Sequence, residues 1–338
     1  MRGFGSDNHS GVHPLMLESI AKSNIDHQPS YGTDDITLNS NKLFSDLFET
    51  DCDVHYVFNG TAANVLSLTS CIRSYETVLV TDVSHLFNDE CGAPEKIGGF
   101  KLTVVPSRNG KFITEDLDQY LIRRGDQHFS QLKAISITQP TEVGTCYTEE
   151  EMATLCRWAK TNGFYIHIDG ARICNAVVSL KSSFAKLFTN NKVDVISFGG
   201  TKNGFIFGEA VVFLNKEISK NFKYLRKQNL NLPSKTRFIA CQFETYLIIG
   251  LWKEIATHSL NKALELKQKM EGLVPIAYPT ESNAVFPILK QPWIKPMREK
   301  HFFYVWDEKT FVCRWMTSWD TQSHEIDSFV EKLKELAR

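Results

Sequence analysis

The chain has 338 residues, 38 basic against 39 acidic, with 42% hydrophobic and 23% charged positions. Such a length points to a large domain plus a smaller one, and the cancelled charge offers no broad field for nucleic acid or an anionic membrane surface. The longest apolar run, residues 246–252, is far too short to span a bilayer, and residues 1–7 lack an apolar signal core, so a cytoplasmic protein is expected.

In chain order, residues 54–58 read as a strand and 61–72 as the helix after it. Strands are predicted at 77–81, 101–105 and 133–138, all short and β-branched. Helical spacing of Met152, Leu155, Cys156 and Ala159 places a helix over 149–160, and Thr148 with Glu151 forms a capping box at its start. Further strands follow at 164–168, 193–198 and 210–214. From 216 the pattern changes to long helical stretches, 216–228 and then 237–270. Strand-like 284–289, 302–305 and 312–317 and a terminal helix over 323–337 complete the chain. Strand alternating with helix implies an α/β fold with a mostly parallel sheet, followed by a smaller α+β domain. The expected division is 1–20 as an N-terminal segment, 21–250 as the large domain and 251–338 as the small one. Ligands of such sheets bind at the carboxyl ends of the strands.

Four segments with chemistry in them sit there. Gly199-Gly200-Thr201-Lys202-Asn203-Gly204 places a lysine among glycines, where backbone can approach a ligand closely; the Walker spacing is missing. Taken alone, such a lysine is usually a solvated turn residue. The apolar strand before Asp169 delivers a carboxylate that can pair with a pyridinium nitrogen, or can simply cap the next helix. His167 shares its strand face, but no third metal ligand stands at a suitable spacing, so no metal is expected. Asn59-Gly60-Thr61 joins a strand to a helix as a phosphate site or an ordinary N-cap would. His85, just past another strand, suits stacking on a ring and proton transfer, or is a plain loop histidine. The eight cysteines form no C-x-x-C pair and read as free thiols.

Their order carries a resemblance. Gly5-Ser6-Asp7-Asn8, Tyr31-Gly32-Thr33-Asp34, Gly60-Thr61-Ala62-Ala63-Asn64, Ser84-His85, Asp169-Gly170-Ala171-Arg172, the Gly199–Gly204 run, Ser234-Lys235-Thr236-Arg237 and Arg314-Trp315-Met316-Thr317 are spread over nearly the whole length. With them the chain resembles the low-specificity L-threonine aldolases, within the β-eliminating lyase group of fold-type I enzymes that use pyridoxal 5′-phosphate. The resemblance implies an aspartate aminotransferase-like large domain and a homo-oligomer, a tetramer built as two dimers with active sites shared across the dimer interface. It implies Lys202 as the Schiff-base lysine, Asp169 on the pyridine nitrogen, His85 on the ring, and Gly60 and Thr61 on the phosphate. Arg237, with Lys235 beside it, would reach the phosphate of a neighbouring subunit's cofactor. Arg172 and Arg314, with Ser6, would grip the substrate carboxylate, and Tyr31 would line the site.

Two departures stand out. The approach to Arg237 is Leu232-Pro233-Ser234-Lys235-Thr236 instead of glycine-rich, and the loop Gln139-Pro140-Thr141-Glu142-Val143-Gly144 lacks the histidine many members place near the substrate hydroxyl. The expected base is therefore His85 or a water it holds, with Glu142 second. Aldol cleavage of L-threonine and L-allo-threonine is the implied activity. β-Elimination on another β-substituted amino acid is the alternative, with transamination and a non-catalytic scaffold behind it.

Overall fold

The computed structural model describes residues 3–338; positions 1 and 2 of the expected N-terminal segment lie outside the described residues. Helices α1 (Pro14–Lys22) and α2 (Asp35–Phe48) precede β1 (Asp53–Val57), α3 (Gly60–Thr69), β2 (Glu76–Thr81), α4 (His85–Asn88), β3 (Lys101–Val105) and β4 (Gln131–Thr138). Then come α5 (Glu149–Thr161), β5 (Tyr165–Gly170), α6 (Ile173–Ser179), β6 (Val195–Gly199) and β7 (Glu209–Phe213). A helical stretch follows: α7 (Lys216–Ser219), α8 (Phe222–Gln228), α9 (Arg237–Ile248) and α10 (Leu251–Lys269). The chain ends with β8 (Ala284–Val285), α11 (Gln291–Lys300), β9 (Tyr304–Asp307), β10 (Val312–Met316) and α12 (Ser323–Ala337).

The fold is α/β. Seven strands in the order β1-β7-β6-β5-β4-β2-β3 form the main sheet, and only β7 runs antiparallel to its neighbours. Strands β6 and β7 are buried at every position, as a sheet covered on both faces requires. The predicted capping box at α5 is present: Thr148 Oγ1 accepts from Glu151 N at 3.2 Å, and Glu151 Oε2 accepts from Thr148 N at 2.7 Å. Phe44, Phe184, Phe198 and Phe243 fill the core between the sheet and α2 and α9. The three-stranded sheet β8-β10-β9 has its own core, in which Trp315 and Phe4 pack on Phe329.

Several boundaries differ from expectation. The single helix read over 237–270 is broken at Gly250, whose φ of +68° ends one helix and starts another. The helix read over 216–228 is split between Ser219 and Phe222. The strand read over 284–289 is regular only for Ala284–Val285 and continues as an isolated bridge, Ile288 to Val312.

Two histidines, His167 buried and His55 half-buried, give the fold an acid limit. His55 packs between the rings of Phe213 and Phe222. Burial, helped by Arg226, pushes its pKa down to about 4, and burial alone pushes that of His167 down to about 3. A histidine held neutral in the fold contributes stability that is present above its unfolded pKa of about 6.5 and is lost as pH falls through the folded value. Stability is therefore expected to drop between about pH 6.5 and about pH 4. His55→Phe should flatten that drop by ~3 kcal/mol, read from urea midpoints at about pH 7 and about pH 4. Equal pH sensitivity in variant and wild type would contradict the assignment.

Candidate active site

The carboxyl ends of β1, β2, β4, β5 and β6 and the start of β7 meet at one edge of the sheet, and a cavity of about 590 Å³ opens there. Ser6, His85, Glu142, Arg172, Lys202 and Arg314 all line it. A narrow inner recess of about 30 Å³ continues between Gly60, Asn64, Asp169, Lys202 and Glu209.

Strand β5 carries Asp169 into the recess at 4% exposure. Its Oδ2 accepts from Asn64 Nδ2 at 3.1 Å and its Oδ1 from Ala171 N at 3.2 Å, so both partners are neutral. Among the described residues it forms no ion pair. Helix α3 begins beside it, capped by Asn59, whose Oδ1 accepts from Ala62 N at 2.9 Å. A side chain at Gly60 would meet no atom within 4 Å, so the helix N-terminus faces open space. Thr61 follows, half-buried.

His85 opens the short helix α4, with Nδ1 3.0 Å from Glu90 Oε1. That same oxygen accepts from Asn64 Nδ2 at 2.9 Å. One asparagine amide therefore ties Glu90 to Asp169. Burial pulls the His85 pKa down, but Glu90, with Glu142 and Asp169, outweighs it and holds the imidazole above its ordinary value. Glu90 Oε2 is buried with no partner among the described residues.

Lys202 sits in a 3-10 turn, Thr201–Asn203, and its amine forms no hydrogen bond or ion pair among the described residues. Gly199 and Gly200 precede it because backbone carbonyls crowd them: a side chain at 199 would strike Ala171 O and one at 200 Gly208 O. Asn203 Nδ2 donates to Gly199 O at 2.9 Å and closes the turn.

The two arginines differ. Arg172 is committed to Asp7, with Nε at 2.6 Å and a terminal nitrogen at 2.9 Å from its two oxygens. Burial raises the Asp7 carboxyl, yet Arg172 and Lys202 outweigh it and hold it below its ordinary range. Arg314 stands on β10 between the faces of Tyr304 and Trp306, at 5.6 and 5.3 Å. Among the described residues its Nε is buried without a partner, and its bond to Gly5 O is long at 3.4 Å. Burial and the nearby Arg172 lower its pKa.

Of the residues picked from sequence, Thr61, Tyr31, Lys235 and Arg237 are not among those that line the cavity or its recess. Tyr31 N donates to Ser234 O at 2.9 Å, its ring lies under Lys227, and it is half exposed. Arg237 begins α9, stacks on Phe238 and donates through Nε to Ser23 O at 3.4 Å. His167 is no ligand candidate, because its ring nitrogens meet Ser136 Oγ at 2.8 Å and Ser197 Oγ at 2.9 Å. Asp7, Asn64, Glu90 and Glu209 were not singled out from sequence as site residues. A glutamate five positions after His85, at the end of its helical turn, was the one local signal for Glu90.

The chain is similar to known proteins over its whole length. It is 37% identical over 343 residues to the low specificity L-threonine aldolase of Pseudomonas aeruginosa, covering 99% of this chain and 96% of that one. The structure matches a Leishmania major threonine aldolase with a TM-score of 0.94 and 32% identity, covering 100% of both chains. An aspartate aminotransferase of Thermus thermophilus matches with a TM-score of 0.73 at 13% identity, over 97% of this chain and 89% of that one, a likeness of fold. Residues 3–290 match the model of the Beta-eliminating lyase family, and the chain belongs to that family.

Proposed function

We propose that this protein cleaves L-threonine and L-allo-threonine between Cα and Cβ to glycine and acetaldehyde, with pyridoxal 5′-phosphate as its cofactor. The observation that carries this reading is the placement of Lys202 and Asp169 on one narrow recess that opens toward Arg314. The residues present fit the cofactor. Among the described residues, an amine without a partner, a buried carboxylate without a cation and an open helix N-terminus surround the recess. Lys202 would hold the cofactor covalently, Asp169 would keep a proton on its ring nitrogen, and Gly60 and Thr61 would hold its phosphate. Pyridoxal phosphate, when bound, supplies a conjugated cationic ring that takes up the electron pair of a breaking bond to Cα.

The chain's own side chains do the rest. Arg314 would grip the substrate carboxylate through its planar fork and so orient the bonds at Cα. Ser6 adds a hydroxyl at the same wall, and Arg172, braced by Asp7, adds positive charge. His85 takes the proton of the substrate β-hydroxyl, directly or through one water, and Glu90 raises its basicity. Glu142 stands in the loop that lacks a histidine and faces the same cavity.

The protein acts as a cytoplasmic homotetramer built from dimers with shared sites. Exposed Phe58, Ile206 and Phe207 beside the phosphate helix and the lysine turn support a covered face there, and the cluster of Tyr31, Lys235 and Arg237 supports a contribution across it. Eight cysteines without a disulfide support a reducing compartment.

The test is an assay of purified protein supplied with pyridoxal phosphate and L-threonine. Equimolar acetaldehyde and glycine are expected; ammonia with a 2-oxo acid would instead assign elimination. Within that assay, Glu90→Gln is expected to lower kcat/KM by ~10-fold and move its acid limb to lower pH, because His85 loses the charge that raises its pKa. An unmoved acid limb would remove His85 as the base.

A further inference from the structure

One buried carboxylate at the site has no part in the chemistry above. Glu209 begins β7, where antiparallel pairing sets it opposite Gly199 on one side and Val57 on the other. It thus lies between the end of β1, which leads to the phosphate helix, and the end of β6, which leads to the lysine turn. Its Oε2 accepts from Gly200 N at 2.6 Å. Its neighbour Gly208 donates to Thr201 Oγ1 at 3.1 Å. Gly199 and Gly200 have no room for side chains, so nothing on those two residues can brace the turn from within. Asn203 closes the turn, and the brace on its Gly200 amide comes from β7.

We infer that Glu209 is the positioning residue of Lys202: it anchors the glycine turn through the Gly200 amide, on the wall of the recess that Lys202 also lines. The inference rests on the reading of Lys202 as the cofactor-bearing residue. Burial raises the Glu209 carboxyl to about 7, against the pull of the Thr201 and Gly200 hydrogen bonds and of Lys202. The charged groups sharing its recess are Lys202 on the turn and, across the space, His85, Glu142 and Asp169. Neither the facing position on β1, Val57, nor that on β6, Gly199, ionises.

The experiment compares wild type, Glu209→Gln and Glu209→Ala, each loaded with pyridoxal phosphate and free of substrate. Cofactor retained after dialysis is recorded, with circular dichroism to verify folding. Glutamine keeps an oxygen for Gly200 N. It should retain cofactor within about threefold of wild type. Alanine leaves the amide unpaired and should weaken retention about tenfold or more. An alanine variant that retains cofactor like the wild type overturns the proposal, as does a glutamine variant that loses cofactor as alanine does. A wild-type protein that takes up no cofactor overturns the reading of Lys202, and this proposal with it. Should alanine fail to fold, Glu209→Met, which fills the space without an acceptor for Gly200 N, takes its place.

Discussion

Lys202→Ala is expected to give a folded protein that holds pyridoxal phosphate only reversibly and cleaves threonine ~10⁴-fold more slowly or worse. The fold should survive because the side chain lines a cavity and bonds to nothing among the described residues, so its truncation breaks no internal partnership. The turn that carries it is held by Gly200 N, Thr201 Oγ1 and Asn203, none of which depends on the amine. The cofactor should still be drawn to the helix N-terminus and Asp169, but without a covalent tether it should leave on dialysis. The checks are the absorbance of the dialysed protein, its circular dichroism and the rate of acetaldehyde release. A variant that keeps covalently bound cofactor would move the attachment to another lysine, and one within about tenfold of wild-type rate would end the proposed role.

The strands were legible because they are short, β-branched and bounded by turn residues, and Gly60, His85 and Lys202 drew notice because each follows a strand. The antiparallel course of β7 was not, since direction leaves no mark on a run such as Ala210-Val211-Val212-Phe213. Nor was the helix break at Gly250, because an isolated glycine does not by itself end a helical pattern. Lys202 and Asp169, which line one recess and are ordinary when taken alone, drew notice through glycines and a polar end to an apolar strand. Their supports did not. Asn64 meets Asp169 across 105 positions and Asp7 meets Arg172 across 165, and no spacing rule connects residues so far apart. Asn64 also sits inside a helix buried from Ala62 to Leu68, where it reads as a minor interruption of the apolar pattern. Glu209 was hidden as the first residue of a strand read as starting at 210.

The arginines were alike in sequence, and the structure separates them enough to predict opposite signatures. Arg314→Leu is expected to lower kcat/KM for threonine by ~10²–10³-fold, with KM rising, while cofactor retention and thermal midpoint stay near wild type. The reason is that Arg314 Nε has no partner among the described residues and its bond to Gly5 O is weak, so leucine strands no acceptor and takes the charge out of an aromatic setting. Arg314→Lys should recover little, since an ammonium cannot present two parallel donors to a carboxylate. Arg172→Leu should do the reverse in stability. Among the described residues it leaves Asp7 buried with only Asn283 Nδ2, at 3.2 Å, on the oxygen that Arg172 Nε held. Breaking a buried pair from one side costs about 3–5 kcal/mol, so the thermal midpoint should fall by several degrees and the segment around Ser6 should loosen. Adding Asp7→Asn to Arg172→Leu removes the stranded charge and should restore part of that loss. Thermal unfolding and steady-state kinetics on wild type, the two leucine variants and the double variant separate the two roles. Equal thermal losses for Arg172→Leu and Arg314→Leu would show that Arg314, too, is held by a partner inside the fold and is not reserved for the substrate.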